Sequence, residues 1–331
     1  MEVMPMEAVP TTRHFRREVL RQFLMFGSLI LLFVFFSLSS PYFFTFGNIV
    51  SIMLATCVNG MLALGVTFVI VSGGIDLSIG TVMTLSAVMT GVFITYWRLP
   101  VFLGVLGGIG TGMLCGFVNG TVTSRMKLPP FIATLGMMMV AKGLALVISG
   151  TAPIYFTHAP SFSKISMGSV VGSLFPGFNL PNAVLIFAIS SVLAHIILTR
   201  TVIGRYDFAI GSNEEAARLS GLNVDRWKVI LYSLCGLFVG MGGVMMASRL
   251  NSAQPALGQG YELEAIAAVV IGGTSLSGGE GSIVGTIVGA FIMSTLTNGL
   301  RILAVPQEWQ IVASGVIVIG AVYLDIIRRR G

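Results

Sequence analysis

The sequence predicts an all-α polytopic membrane protein of about ten transmembrane helices, with eight as the lower bound. Three observations predict it. Of the 331 residues, 55% are hydrophobic and 10% charged, whereas a soluble domain carries roughly a quarter charged residues to coat its surface. Apolar runs long enough to cross about 30 Å of hydrocarbon recur along the chain. Glycine (41) and phenylalanine (22) are abundant, as expected where helices pack closely inside lipid.

The first apolar run, 23–40, follows Arg13, Arg16, Arg17 and Arg21. Its flanks look like a secretory signal, but the run is long and no small-residue cleavage site follows, so it reads as a retained helix. Further spans fall near 49–72, 77–97, 101–121, 130–149, 183–199, 229–248, 262–273, 281–303 and 310–325. The eighth is too short to cross alone. It is either completed by the Gly/Ser stretch after it or re-entrant.

Basic loops stay in the cytoplasm. With the N-terminus inside, ten spans bring the C-terminus inside as well. The inner segments then hold Arg13, Arg16, Arg17, Arg21, Arg125, Lys127, Arg200, Arg205, Arg218, Arg226, Lys228, Arg328, Arg329 and Arg330, most of the 19 Lys and Arg residues. That bias accounts for the net charge of +6 without nucleic acid as a partner. The organisation is a cytoplasmic tail at 1–22, one transmembrane domain at 23–327 and a basic tail at 328–331. An outer loop covers 150–182, where Pro153, Pro160, Pro176 and Pro181 mark turns, and a cytoplasmic loop covers 200–228. Neither loop is large enough for a catalytic domain.

Span four carries Gly104, Gly108, Gly112, Gly116 and Gly120, one every fourth residue. On a 3.6-residue helix this makes a slowly winding groove that a neighbouring backbone can approach. Span nine repeats the device with Gly281, Gly285 and Gly289, beside a row of Ser282, Thr286, Ala290, Ser294 and Asn298. Two Gly-rich interruptions, Gly73–Gly80 and Gly272–Gly281, share the pattern GGxxLSxG. Irregular backbone at membrane depth survives only inside protein or beside a water-filled cavity, and transporters place broken segments at corresponding positions of two halves. Asp76 in the first is either a helix cap or a functional carboxylate.

Leu276-Ser277-Gly278-Gly279-Glu280 resembles the signature loop of ABC ATPases, but the chain contains no Gly-Lys pair and hence no phosphate-cradling loop. It is not expected to hydrolyse ATP. Cys57, Cys115 and Cys235 lie in apolar stretches without a CxxC pair and read as small buried hydrophobes. His14, His158 and His195 belong to no visible catalytic or metal constellation, and Lys142 is an intramembrane cation expected to reach outward to the surface.

The loop at 200–228 contains Asn213, a plausible helix cap, acidic residues in the turn after it and Gly221 at the far end. A short exposed helix under the membrane follows. Glu215-Ala216-Ala217, with Gly221 four residues on, resembles the EAA motif of ABC importer permeases. With LALGVTFVIVSGGIDLSIG (62–80), PPFIATLGMM (129–138), AIGSNEEAARLSGLNV (209–224) and ELEAIAAVVIGGTSLSGGEGSIVGTIVGA (262–290), the chain is similar to the ribose-type branch of those permeases.

That resemblance implies a multi-pass subunit of the bacterial inner membrane that moves a monosaccharide by alternating access. It implies three partners: a cytoplasmic ABC ATPase, a periplasmic or lipid-anchored sugar-binding protein, and a second permease copy or paralogue. ATP and Mg would belong to the ATPase, with no cofactor bound here. The coupling helix would comprise Gly211, Asn213, Glu214, Glu215, Ala216, Ala217, Arg218 and Gly221, its small alanines permitting close docking. Passage-lining candidates are Asn59, Asp76, Asn119, Glu262, Glu264 and Asn298; Gln254, Gln259 and Tyr261, in the outer loop between spans seven and eight, are candidates for touching the binding protein. The competing readings are an ion-gradient-driven secondary transporter, the same importer class carrying a furanose-like signalling molecule or polyol, and a non-transporting scaffold.

Overall fold

The computed structural model describes residues 11–175 and 179–330; residues 1–10 of the predicted tail, Pro176 and Gly331 lie outside them. Each predicted span holds a helix. In chain order these are α1 (Thr11–Ser39), α2 (Phe46–Val71), α3 (Ile79–Gly91, continued by a π-helical turn Val92–Tyr96), α4 (Val101–Ser124) and α5 (Pro130–Ser149). After strand β1 (Ile154–Tyr155) and the short α6 (Lys164–Met167) and α7 (Val170–Leu174) come α8 (Asn182–Arg200), α9 (Val202–Ser212), α10 (Glu214–Leu219) and α11 (Val224–Leu250). Strand β2 (Ser252–Ala253), α12 (Tyr261–Ile271), α13 (Ile283–Ile302) and α14 (Gln307–Arg330) complete the fold. Among the described residues, seven helices are long and apolar enough to cross a membrane: α2, α3 with its π turn, α4, α5, α8, α11 and α13. Helices α1 and α14 overrun the predicted spans because backbone hydrogen bonding does not stop where hydropathy does.

Helix α2 is the hub, enclosed by α11, α13, α12 and α8. Its second half is buried on all sides (Leu62, Leu64, Phe68 and Ile70 are fully enclosed), and Phe68 stacks on Phe238 of α11 at 6.1 Å. Helices α4, α5 and α8 instead turn Leu114, Phe117, Phe131, Val147, Ile189 and Val192 outward. Helices hydrophobic on the outside as well as the inside suit a hydrocarbon surround.

The glycine row of α4 serves two neighbours in turn. A Cβ at Gly104 or Gly108 would strike Ile94 or Thr90 on the α3 segment, while at Gly112, Gly116 and Gly120 it would strike the backbone of α11. Gly236 and Gly240 of α11 answer from the other side. Two backbones thus touch where lipid supplies no hydrophobic drive, and van der Waals contact holds the seam. On α13, Gly285 meets the Gly272 carbonyl and Gly289 that of Ala268. In the parallel row, Ser282 accepts from the Gly285 amide as a cap and Thr286 bonds Thr67 of α2 at 2.9 Å.

The bundle has two distinct ends. At the ribbon end, β1 pairs antiparallel with β2, Ile154 opposite Ala253. The 150–182 segment is pinned there by Ser248, whose hydroxyl meets the Ser166 amide (3.0 Å) and the Phe162 carbonyl (2.8 Å). At the loop end lie α9 and α10, the C-terminus of α2 and the 272–282 connection.

Candidate functional site

The loop end is built on a helix too short to persist alone. Asn213, extended at φ −161°, accepts a hydrogen bond from the Ala216 amide (2.9 Å) and starts α10. Gly221 (φ +87°) ends it: its amide bonds the Arg218 carbonyl, and the Leu222 amide bonds that of Ala217. That paired closure is a Schellman motif, with Leu222 packed near Ala217 in a small core of Ile210, Ala217 and Val224. Of the two predicted docking alanines, Ala217 is therefore committed inward and Ala216 faces out.

Charge fixes the helix to α11. Glu214 accepts from Lys228 (2.6 Å) and Arg218 (3.3 Å), and Arg218 also pairs with Asp225 (2.9 Å). Partial burial alone would raise the Glu214 carboxyl, but the Lys228 and Arg218 hydrogen bonds and charges outweigh it and hold it below its usual value. The Arg218 hydrogen bond likewise lowers Asp225. Glu215 has no described ion pair, and Leu219 is 83% exposed. The outer face left for a partner is thus Glu215, Ala216 and Leu219, the last unforeseen in the sequence. On α9, Asp207 is wholly buried with neither carboxylate oxygen hydrogen-bonded, and burial pushes its carboxyl well above the ordinary range.

The two Gly-rich breaks both reach this end, and they are built alike. Gly73 and Gly273 have φ +79° and +86°. The Gly73 and Gly74 amides bond the Ile70 and Val69 carbonyls, as those of Gly273 and Thr274 bond Val270 and Val269. Both α2 and α12 thus close in Schellman motifs, and the equivalent residues are 73 and 273, one position off the shared GGxxLSxG pattern. The breaks also touch. The Gly279 amide donates to the Val71 carbonyl (2.9 Å), and Gly211 packs on that same carbonyl. A cavity of about 280 Å³ opens between the first break, α9–α10 and α11, lined by Ser72, Gly74, Ser212, Glu214, Lys228 and Tyr232 among others.

Asp76 and Asn119 come together deeper in. Asp76 accepts from the Ser78 amide (2.8 Å) and hydroxyl (2.6 Å), and Asn119 donates to Asp76 (3.3 Å) and Ser78 (2.9 Å). Asp76 is 3% exposed and Asn119 2%. The cap position of α3 is Ser78, not Asp76. The cluster ties the break to α4, and in this conformation neither candidate faces open space. Tyr232 braces the same turn, its hydroxyl donating to the Ile75 carbonyl (3.2 Å).

The remaining candidates lie mostly at a third level. From Asn251 the chain descends beside α3: Ala253 packs near Gly91, the Leu257 carbonyl accepts from Thr84 (2.7 Å), and Gly258 abuts Gly80. Helix α12 starts only there, and Asn59, midway along α2, donates to Glu264 (3.4 Å). The short eighth segment is thus preceded by non-helical chain, 251–260, that runs along α3, and the Gly/Ser stretch after it does not lengthen the helix. Eleven residues of helix rise about 16 Å, half a bilayer core, and the chain before it is strand only at Ser252–Ala253 and then a series of turns. Glu262 accepts from the Gly260 amide (3.0 Å), while its other oxygen and the Asn59 carbonyl oxygen are buried without a partner.

Gln254 bonds Ser252 near the ribbon (3.0 Å), but Gln259 and Tyr261 sit at the depth of the α12 start. They are thus not in the outer loop where the sequence reading put them, since Pro255 and Gly258 interrupt the helix without bringing the chain to the surface. Gln259 accepts from Lys142 of α5 (2.9 Å), so that cation pairs with the 251–260 segment on the exposed flank of the bundle instead of reaching along its helix to the surface. Asn298 lies apart on α13 with a buried, unpartnered carbonyl oxygen.

Residues 48–322 match the family model described as branched-chain amino acid transport system / permease component. The "Ribose import permease protein RbsC" of Escherichia coli is 38% identical over 97% of this chain and 99% of its own. That of Bacillus subtilis is 42% identical over 91% of each. The "Xylose transport system permease protein XylH" of Escherichia coli is 32% identical over 98% and 97%. No solved structure matches the chain.

Proposed function

The chain belongs to the family of branched-chain amino acid transport system permease components, and from that membership we propose that it is the membrane subunit of an ATP-driven importer that admits a monosaccharide. The observation that carries the proposal is α10: a capped, exposed helix at the loop end, joined through Gly211 and Val71 to the breaks that end α2 and α12. Such a helix is a handle for a separate motor. A cytoplasmic ATPase would grip Glu215, Ala216 and Leu219, and its closure on ATP would shift the breaks and switch the opening of the passage. A second permease copy or paralogue would supply the facing wall, and an external sugar-binding protein would deliver at the ribbon end near Gln254.

Ten spans would place both termini at the loop, cytoplasmic, end of a bacterial inner membrane. The direction of α1, whose Phe36 packs on Gly299 near the far end of α13, supports this. Asn59, Glu262 and Glu264 gather at mid-depth and are the favoured passage residues; Asp76 and Asn119 would support the moving break. The relatives named for ribose and xylose transport make a monosaccharide the first candidate, ahead of a furanose-like signalling molecule or polyol. An ion-gradient-driven transporter leaves α10 without a task.

Reconstitution separates these readings. Uptake of labelled ribose into vesicles should need the partner ATPase, the binding protein and internal ATP, and should persist when ion gradients are collapsed. Uptake that follows the gradient and ignores ATP would end the importer reading.

A further inference from the structure

Lys142 lies midway along α5, a helix with only Thr134, Ala141, Ala145 and Ser149 buried. An ammonium at the bilayer centre costs about 3 kcal/mol even on the mildest scale. A lysine facing lipid escapes by stretching to the nearer surface. This one does not: Nζ donates to Gln259 Oε1 at 2.9 Å. Helical side chains lean toward their helix's N-terminus, which for α5 is the loop end, so Lys142 is aimed inward along the bundle rather than out to the ribbon surface.

Its partner is equally out of place for lipid. Gln259 is exposed, as are Ala256 and Leu257 beside it, on a stretch of non-helical chain at the depth of the α12 start. Backbone of that kind, where it is not buried in protein, needs water. Side chain and backbone therefore agree that the flank between α5 and α12 faces an aqueous space.

The pair also has unused capacity. Lysine has three donors and the glutamine amide two. One lysine donor is taken by Gln259, and among the described residues nothing accepts from the Gln259 amide nitrogen. Lone pairs on Gln259 Oε1 remain as well. A positively charged cluster of several donors and an acceptor suits a neutral polyhydroxylated solute, and it repels cations.

We propose that Lys142 and Gln259 face the passage and exchange hydrogen bonds with the hydroxyls of the sugar in transit. The proposal rests on the importer reading, and its test is chosen to fail separately. In a background carrying Cys57→Ala, Cys115→Ala and Cys235→Ala, Gln259→Cys should react with a membrane-impermeant thiol reagent at least tenfold faster than Leu114→Cys, on the outward apolar side of α4. Saturating ribose should slow that reaction in the complex with ATPase and binding protein. In proteoliposomes of the same complex, Lys142→Met should cut ribose import at least tenfold with the complex still assembled and hydrolysing ATP, and Lys142→Arg should restore most of it.

An unreactive Gln259→Cys, or a Lys142→Met complex that imports at the unmodified rate, overturns the proposal. Absence of ATP-dependent import by the unmodified complex would instead count against the importer reading, while the thiol reaction would still report whether the pair meets water.

Discussion

Replacing Gly112 by alanine tests the α4–α11 seam in isolation. A Cβ there would lie 2.7 Å from the Gly240 Cα and closer still to the Gly236 carbonyl. Ordinary contact begins at 3.4 Å and the nearest atom is the Gly236 carbonyl oxygen, so a gap of about 1 Å must open along a seam that has no side chains to rearrange. Overpacking of this kind costs about 1–3 kcal/mol. The same substitution at Gly110, where a Cβ meets nothing within 4 Å, carries only the helix-propensity gain of up to about 1 kcal/mol. That gain is common to both variants, so their difference isolates the clash. Unfolding in mixed micelles, followed by tryptophan fluorescence, should place Gly112→Ala about 1–3 kcal/mol below Gly110→Ala. Equal stability would mean that the two backbones do not touch, and the glycine row would need another explanation.

Three further outcomes are expected. Gly221→Ala forces alanine to φ +87°, a cost of about 1–2 kcal/mol. Placed on a six-residue helix, it should lower recovery of the ATPase in co-purification severalfold while the membrane helices stay folded by circular dichroism. Glu215→Lys and Leu219→Asp should also release the ATPase, whereas Glu214→Gln, whose partners are internal, should act mainly by loosening α10, seen as faster hydrogen exchange at residues 214–219. Asp207 has a folded-state pKa well above its unfolded one, so its contribution to stability is full below the unfolded pKa and fades as pH rises through the folded one. Asp207→Asn, neutral throughout, should flatten the thermal stability profile above pH 4 and raise the melting temperature most on the alkaline side; an unchanged profile would mean the carboxyl is not buried alone.

Hydropathy made the long apolar helices legible because hydrocarbon demands the same apolar length everywhere, and the caps of α10 were legible because Asn213 and Gly221 act through local hydrogen bonds and backbone conformation. Contacts between distant segments were not. The row on α4 announced a close neighbour but not that Gly236 and Gly240 would meet it. The breaks looked equivalent through shared letters, yet equivalence lies in the hydrogen-bonded closure, where Thr274 does what Gly74 does. Residues 251–260 resembled a surface loop because proline and glycine interrupt a helix at any depth. The available signal was the eighth span itself, too short by half. Lys142 and Gln259 stand 117 residues apart, beyond any local pattern.

The carbonyl of Val71 receives the Gly279 amide and bears Gly211 directly against it. Side chains at such a junction would act as springs, trading rotamers to absorb a small push. Main chain on main chain has no such play, so a loop driven by a motor would pass its movement through this joint to the ends of α2 and α12, as meshed cogs do. The cost of that fidelity is intolerance: one methyl group at residue 211 jams the train.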